Sequence, residues 1–367
     1  MFMNPLRLKY NEWDVIFVFI YVLFSSKILI SATTIEQSYS DFMKYLYTFL
    51  FFCIMGVSAL KIKKTELLFF GIIGFICLIT FFLSKSAAIY ATLVVIFISF
   101  IVKRIDYRKV SFLCLVGNFI IAGMIVPFLF SSDIQSTFDY RYGLRDTFGF
   151  YNPNYAGIIL LFIYISVCWF LGDFLSNSLI CFILYTILLP VIFIAIEKTI
   201  SRTSELLLVI YYLMIVCSLL TKKIKVRRLS SIVFFIAFVL IITFQFYTAI
   251  NYTPVLMSDL NSSFAGRLSL SNYLYQGVGL PNIFYGTNIE QYQPIDFFFI
   301  ELVYTNGWFV SIWITYLYFK CLMRINISIS EMAVIMACIA TALTQKVILI
   351  PCCAYLIYIV FSKREDI

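Results

Sequence analysis

The sequence predicts an all-α integral membrane protein with about twelve transmembrane helices, and three observations support this prediction. Hydrophobic residues fill 62% of the 367 positions and charged residues only 13%, whereas soluble domains carry about 25% charged residues. The mean hydropathy is +0.98. Apolar stretches of the length that spans a bilayer as a helix recur along the chain. We therefore expect residues 1–367 to form a single integral membrane domain.

The individual spans are taken from apolar stretches separated by polar or charged residues, because backbone that faces lipid must satisfy its own hydrogen bonds. Two of the junctions, near Lys85 and Lys346, are short, so ten or eleven helices also fit the pattern. The predicted spans are 13–33, 42–60, 67–83, 86–102, 110–131, 153–171, 174–196, 204–220, 229–250, 296–319, 331–345 and 347–361.

Orientation follows from the basic residues, because Lys and Arg accumulate in cytoplasmic connections. Alternate connections hold 18 of the 27 Lys and Arg residues. We therefore expect cytoplasmic termini and an even number of helices. Scattered clusters of this kind do not form the continuous basic face of a nucleic-acid-binding protein. The clusters are Arg7 and Lys9; Lys61, Lys63 and Lys64; Lys103, Arg104, Arg108 and Lys109; Lys222, Lys223, Lys225, Arg227 and Arg228; Lys320 and Arg324; and Lys363 and Arg364.

Two long connections are predicted on the extracytoplasmic side. Residues 132–152 link helices five and six, and residues 251–295 form a large loop between helices nine and ten. Loops of this length are usually functional or disordered. The aromatic and glycine residues of the second loop indicate an ordered lid, with an amphipathic helix at 266–276 lying on the membrane.

The stretch RYGLRDTFGFYNPNYAG, residues 141–157, has the features of an anion site. Asn152 is suited to cap a helix whose first position is proline, and the N-terminus of a helix attracts anions. Together with Arg141 and Arg145, the helix start at Asn152 and Asn154 would bind phosphate or pyrophosphate. The alternative is structural: the arginines pair with Asp139 and Asp146, or with lipid headgroups.

Two further arginines are expected on the same side of the membrane. Arg202 lies at the predicted start of helix eight, and Arg267 lies in the large loop. Arginine suits bidentate phosphate binding and keeps its charge when partly buried. The alternatives are a local ion pair between Arg202 and Glu205, one helical turn later, and a solvated or snorkelling Arg267.

Carboxylates supply the candidate general base, because the chain has no histidine. In QPIDFFFIELVYTNGW, Asp296 is predicted to begin helix ten, and Glu301 follows five residues later, slightly deeper in the membrane. The alternatives are that Asp296 merely caps this helix and that Glu301 forms an interhelical hydrogen bond.

These segments have a family resemblance. In order and predicted topology, RYGLRDTFGFYNPNYAG, SRTSELLLVIYYL, GRLSLSNYLYQGVGLPNIFYG and DFFFIELVYTNGW resemble the Wzy-type O-antigen and capsular polysaccharide polymerases of the O-antigen ligase and polymerase superfamily, over residues 140–310. The resemblance implies a membrane glycosyltransferase of the GT-C type. Such an enzyme joins oligosaccharide repeat units carried on undecaprenyl pyrophosphate at the outer face of the bacterial plasma membrane.

The resemblance also implies roles for individual residues. It matches Arg141, Arg145, Arg202 and Arg267 to family arginines, which would bind the pyrophosphate leaving group. Asp296 stands where the ligases and many polymerases have histidine, and this difference argues against a ligase. We expect no metal and no other cofactor. The expected partners are lipid-linked glycans, the bilayer, a chain-length regulator and a flippase; the competing functions are an O-antigen ligase and a transporter or flippase of lipid-linked oligosaccharide.

Overall fold

A computed structural model describes residues 10–33, 37–59, 63–84, 88–132, 134–139, 142–220, 225–226, 228–323, 326–345 and 349–362. Arg141 and the terminal residues 1–9 and 363–367 therefore lie outside the described residues, and their predicted roles and location stay predictions.

The described chain is mostly helical. Its α-helices are α1 (Glu12–Ser31), α2 (Gln37–Ala59), α3 (Lys64–Ser84), α4 (Ala88–Val102), α5 (Tyr107–Ser131), α6 (Pro153–Phe174), α7 (Ser178–Thr199), α8 (Arg202–Leu220), α9 (Arg228–Ile250), α10 (Pro254–Ser263), α11 (Arg267–Val278), α12 (Phe298–Leu322), α13 (Ile329–Thr341) and α14 (Tyr355–Ser362). Each predicted span overlaps one of them, and α10 and α11 lie in the large loop.

Among the described residues, six helices are long and apolar enough to cross a bilayer: α1, α5, α6, α7, α8 and residues Ile232–Ile250 of α9. They confirm the prediction of a helical membrane protein. The count of twelve spans and the GT-C-type architecture stay predictions.

The described part of the chain contains four short strands that were not predicted. The strands β1 (Ser136–Asp139) and β2 (Gly143–Asp146) form an antiparallel hairpin in the connection between α5 and α6, with Thr137 opposite Arg145. The strands β3 (Lys225–Val226) and β4 (Ile327–Ser328) pair where α9 and α13 begin. Each strand has only two to four residues, and such short runs leave little alternating pattern to recognise in a sequence.

The long connections 132–152 and 251–297 lie at one end of the helices, which we call the loop end. The β1–β2 hairpin contacts the end of α7, where Arg145 Nε donates to the Thr199 carbonyl, and α8 begins three residues later. The β3–β4 pair lies at the opposite end, after α8. From there α9 returns to the loop end and leads into the 251–297 connection.

A buried polar network joins four helices in the core. Tyr21 Oη of α1 donates to Asn118 Oδ1 of α5 at 2.6 Å. Asn118 Nδ2 donates to Ser166 Oγ of α6 and to Tyr355 Oη of α14, both at 2.9 Å. Hydrogen bonds of this kind help to hold helices together in lipid. Acyl chains are as apolar as the helix surfaces, so the hydrophobic effect does not drive the helices to associate there.

The predicted span 296–319 is not one straight helix. Gly307 has φ 80° and ψ 162° and interrupts α12. The rings of Phe299 and Phe319 both pack on the ring of Phe238 in α9, with centroids 4.6 Å and 5.1 Å away. In a straight helix these two residues would be about 30 Å apart. The halves of α12 therefore fold back on each other at Gly307.

The last two predicted spans also differ from the structure. The span 331–345 corresponds to α13, which ends at Thr341. The span 347–361 is wrong as one continuous helix, because a short 3₁₀ turn, Pro351–Cys353, precedes α14, which has only eight residues. Eight residues extend about 12 Å, less than half of the hydrocarbon core.

Candidate functional site

The β1–β2 hairpin places Arg145 against the ends of two helices at the loop end. Arg145 is only 4% exposed. Its Nε donates to the carbonyl of Thr199 at 2.9 Å, and Nη2 donates to the carbonyl of Ile200 at 3.3 Å. These carbonyls end α7, where a cation is favoured by the orphan acceptors and the helix dipole.

The remaining contacts of Arg145 use most of its hydrogen-bonding capacity. Nη2 also donates to Asn154 Oδ1 at 2.6 Å, and Nη1 forms an ion pair with Asp139 Oδ2 at 3.2 Å. For Arg145, the alternative of an ion pair with Asp139 is therefore confirmed. A buried guanidinium with four acceptors has little capacity left for a phosphate ligand.

The N-terminus of α6 matches the sequence prediction. Asn152 is the N-cap, with its Oδ1 accepting the backbone N–H of Asn154 at 2.9 Å, and Pro153 is the first helical residue. Proline loses no hydrogen bond at that position. The side chain of Asn154 accepts from Arg145, so Asn154 links the hairpin to α6.

Tyr142 brings a second arginine to the same place. Its ring lies 5.4 Å from the guanidinium carbon of Arg145 and 4.8 Å from that of Arg202. Arg202 is exposed and makes neither a hydrogen bond nor an ion pair with the described residues. No ion pair within 4 Å joins Arg202 to Glu205, although the two charges attract each other at longer range. Arg202, at the start of α8, has its five N–H donors available to a ligand.

An open cleft of about 510 Å³ lies beside these groups and contains three of the predicted binding residues. Two aromatic side chains at its edge are exposed, Phe138 at 70% and Tyr151 at 56%. The cleft combines aromatic faces with amide, hydroxyl and carboxylate groups, a mixture that suits sugars. Its lining residues are Thr137, Phe138, Asp139, Arg145, Tyr151, Asn152, Pro153 and Asn154.

A second group forms around Arg267 and Asp296. Arg267 is 8% exposed; its Nε pairs with Asp296 Oδ2 at 3.1 Å, and its Nη1 donates to the carbonyl of Phe264 at the same distance. Since α12 begins at Phe298, Asp296 is not its N-cap, and that alternative is wrong. The alternative of a solvated Arg267 is also wrong. The two residues are instead partners of each other.

Glu301 is buried in the first turn of α12, where its Oε1 accepts from Gln293 Nε2 at 3.4 Å. Glu301 was expected to lie deeper than Asp296, on the assumption that the helix runs away from the loop end. The first half of α12 runs in the opposite direction. Phe299 packs on Phe238, whereas Trp308 packs on Phe246, nearer the loop end of α9. The half of α12 that contains Glu301 therefore runs toward the loop end.

Gln245 supports this arrangement and was missed in the sequence. It is 0% exposed; its Oε1 accepts the Phe299 N–H at 3.0 Å, and its Nε2 donates to the Ala342 carbonyl at 2.8 Å. It thus joins α9 to the start of α12 and the end of α13. A glutamine inside an apolar span was the available signal, because polar residues there usually have a specific partner.

The described arginines contact different partners. Among the described residues, no hydrogen bond, ion pair or ring contact joins Arg145 or Arg202 to Arg267 or Asp296. One group surrounds Tyr142 and the N-terminus of α6. The other stabilises the chain that enters α12.

Fold and site together define a helical membrane protein with a polar, aromatic cleft at its loop end, beside which Arg202 is exposed. No protein-family model, curated protein or solved structure matches the chain.

Proposed function

We propose that the protein is a membrane glycosyltransferase of the Wzy polymerase type. It would join undecaprenyl-pyrophosphate-linked oligosaccharide repeat units into O-antigen or capsular polysaccharide, with its loop end at the outer face of the bacterial plasma membrane. The observation that supports this proposal best is the exposed guanidinium of Arg202 over Tyr142, whose ring also contacts Arg145 at the edge of a cleft of about 510 Å³. Such a site offers a charge for pyrophosphate next to surfaces for sugars.

The proposed roles follow from which groups are available. Arg202 binds the pyrophosphate, together with Arg141, and stabilises the negative charge that develops as it leaves. Arg145 mainly holds the hairpin against α6 and α7, because its donors are already used. The aromatic and amide groups of the cleft bind the glycan.

The reaction forms one glycosidic bond and breaks the anomeric C–O bond that joins the growing glycan to its lipid pyrophosphate. A hydroxyl of the incoming unit attacks the anomeric carbon of the growing glycan, the anomeric C–O bond breaks, and the lipid pyrophosphate leaves with the electron pair. The hydroxyl proton passes to a carboxylate, Asp296 or Glu301. Since Oδ2 of Asp296 is paired with Arg267, Oδ1 is the atom of Asp296 that accepts the proton.

The test uses purified protein in lipid vesicles supplied only with lipid-linked repeat units, with product length measured on gels. We expect long chains from the wild type. Arg202→Ala should slow elongation about tenfold to a hundredfold, because hydrogen bonds to charged groups contribute about 1.5–3 kcal/mol. Arg108→Ala is the matched control, as Arg108 is exposed at the opposite end. Full elongation by Arg202→Ala would contradict the assigned role, and wild-type protein that forms no chains would contradict the polymerase.

A second candidate is a transporter or flippase of lipid-linked oligosaccharide. The interruption of α12 at Gly307, six residues after the buried Glu301, favours it, because many transporters bind their substrates at broken helices. In the same vesicles a flippase would move fluorescent lipid-linked units between leaflets without lengthening them. An O-antigen ligase would lengthen nothing until its separate lipid acceptor was added.

A further inference from the structure

The turn between α7 and α8 is short and strained. Only Ile200 and Ser201 separate α7 from α8, which begins at Arg202. Ile200 makes the reversal in the left-handed conformation, with φ 50° and ψ 40°, which a β-branched residue rarely adopts. Such a conformation persists only where the surrounding structure fixes it, and it is frequent at functional sites. The contacts that fix this turn therefore bear on Arg202.

Arg145 holds the turn from the β1–β2 hairpin. Its Nε and Nη2 donate to the carbonyls of Thr199 and Ile200, and its remaining contacts, with Asp139 and Asn154, fix Arg145 itself. The carbonyls at the end of α7 are thereby satisfied while Ile200 stays in the left-handed conformation.

Helix α6 packs directly on the same turn at Gly157. A Cβ at Gly157 would lie 2.6 Å from Ser201 Cβ and 2.8 Å from Thr199 Oγ1, whereas carbon atoms in contact are about 3.5–4.0 Å apart. Because Ser201 Cβ is bonded to the backbone, no side-chain rotation would relieve the first of these clashes. Glycine at position 157 therefore allows α6 to approach the turn, and both Thr199 and Ser201 are buried there.

Tyr142 extends this arrangement to the guanidinium of Arg202. Its ring lies 5.4 Å from the guanidinium carbon of Arg145 and 4.8 Å from that of Arg202, and cations attract aromatic faces within about 6 Å. Since Arg145 is fixed by four acceptors, the ring of Tyr142 rests on a fixed neighbour. The ring in turn orients the exposed Arg202.

We propose that Gly157 and Tyr142 are positioning residues for Arg202. Gly157 fixes the backbone from which Arg202 projects, Tyr142 fixes its guanidinium, and the group is preorganised for an anion of the pyrophosphate class. A long side chain that is already held loses less conformational entropy when it binds a ligand. This proposal rests on the proposed role of Arg202 in binding pyrophosphate.

The test measures binding of inorganic pyrophosphate by titration calorimetry, with purified protein in phosphatidylcholine nanodiscs. Gly157→Ala adds the methyl group that displaces the turn, while alanine favours the helical conformation of α6 more than glycine does. We expect the affinity to fall about twofold to tenfold, the contribution of one hydrogen bond. Gly123→Ala, in α5 with nothing within 4 Å of its Cβ, is the matched control and should bind as the wild type does.

A double-mutant cycle separates positioning from a general effect on the fold. If Gly157 acts through Arg202, Gly157→Ala should change the affinity by less than about twofold in an Arg202→Ala background, because the effects of coupled residues are not additive. The cycle is run at low ionic strength, where weak screening keeps the residual binding measurable. An equal fall in both backgrounds, or no fall in either, would overturn the proposal.

Tyr142 provides a second test that does not depend on how Gly157→Ala folds. Tyr142→Leu removes the ring and should weaken binding only when Arg202 is present, whereas Tyr142→Phe keeps the ring face and should restore the affinity. Positioning by the ring is wrong if phenylalanine binds as weakly as leucine.

The binding assay also separates this proposal from the proposed function. Wild-type protein that binds no pyrophosphate would overturn the positioning of Arg202 for such an anion. Pyrophosphate binding with the expected coupling, but without elongation of lipid-linked units, would contradict the polymerase and support the positioning.

Discussion

The substitution Gln245→Leu should weaken the attachment of α9 to the start of α12 and the end of α13. Leucine has about the same volume as glutamine. Gln245 is fully buried and holds two backbone groups, the Phe299 N–H and the Ala342 carbonyl. Leucine leaves both without a partner. Hydrogen bonds between membrane helices contribute on average about 0.6 kcal/mol and at most about 1.7 kcal/mol, so the loss of two should lower the free energy of unfolding by about 1–3 kcal/mol.

The measurement is equilibrium unfolding in detergent micelles, combined with the rate of protease cleavage between residues 280 and 297. Gln276→Leu is the matched control, because Gln276 is exposed and, among the described residues, its side chain makes one hydrogen bond, to Asn272 Oδ1; its effect should stay within about 0.5 kcal/mol. We expect Gln245→Leu to lower stability and to speed cleavage, since the start of α12 loses its cap. Equal stability and equal cleavage rates for the two variants would refute the reasoning.

Three further substitutions test other parts of the fold by the same unfolding assay. Asn118→Ala should cost about 1–3 kcal/mol, because three buried partners lose a hydrogen bond, whereas Asn251→Ala, at an exposed position, should change little. Gly307→Ala should cost about 1–3 kcal/mol, because φ 80° with ψ 162° is a region that essentially only glycine adopts and because the added Cβ would lie 2.9 Å from the Tyr285 backbone nitrogen; Gly74→Ala, with open space around its Cβ, should be neutral or stabilising. Arg145→Lys should cost about 1–3 kcal/mol, because one ammonium cannot reproduce the planar fork. A stability equal to that of the wild type would contradict each expected loss.

The sequence predicted well wherever structure depends on neighbouring residues. Asn152 and Pro153 begin α6 as expected, because a cap and a first-turn proline act within one helical turn. The positions of most apolar helices were also predicted, because their apolar stretches are continuous.

The prediction of one continuous helix over residues 296–319 was wrong, because a turn signal inside this span was outweighed by its apolar composition. Asn306 and Gly307 form a pair typical of turns, but they stand within a long apolar stretch and were included in one span. Where the helix breaks, backbone N–H groups find other hydrogen-bond acceptors: those of Trp308 and Phe309 donate to carbonyls in the connection before α12. Only those distant partners make the break stable.

Composition and periodicity by themselves determined that this chain is a helical membrane protein, because lipid offers no hydrogen bonds and long apolar segments can satisfy their backbone only internally. Tertiary structure alone decided which charged groups are available. Arg145 and Arg202 are the same residue type in the same predicted region, yet one is saturated by groups up to 55 residues away and the other is exposed. The difference arises because hydrogen-bond partners are set by distances in the folded chain, which a one-dimensional pattern does not contain.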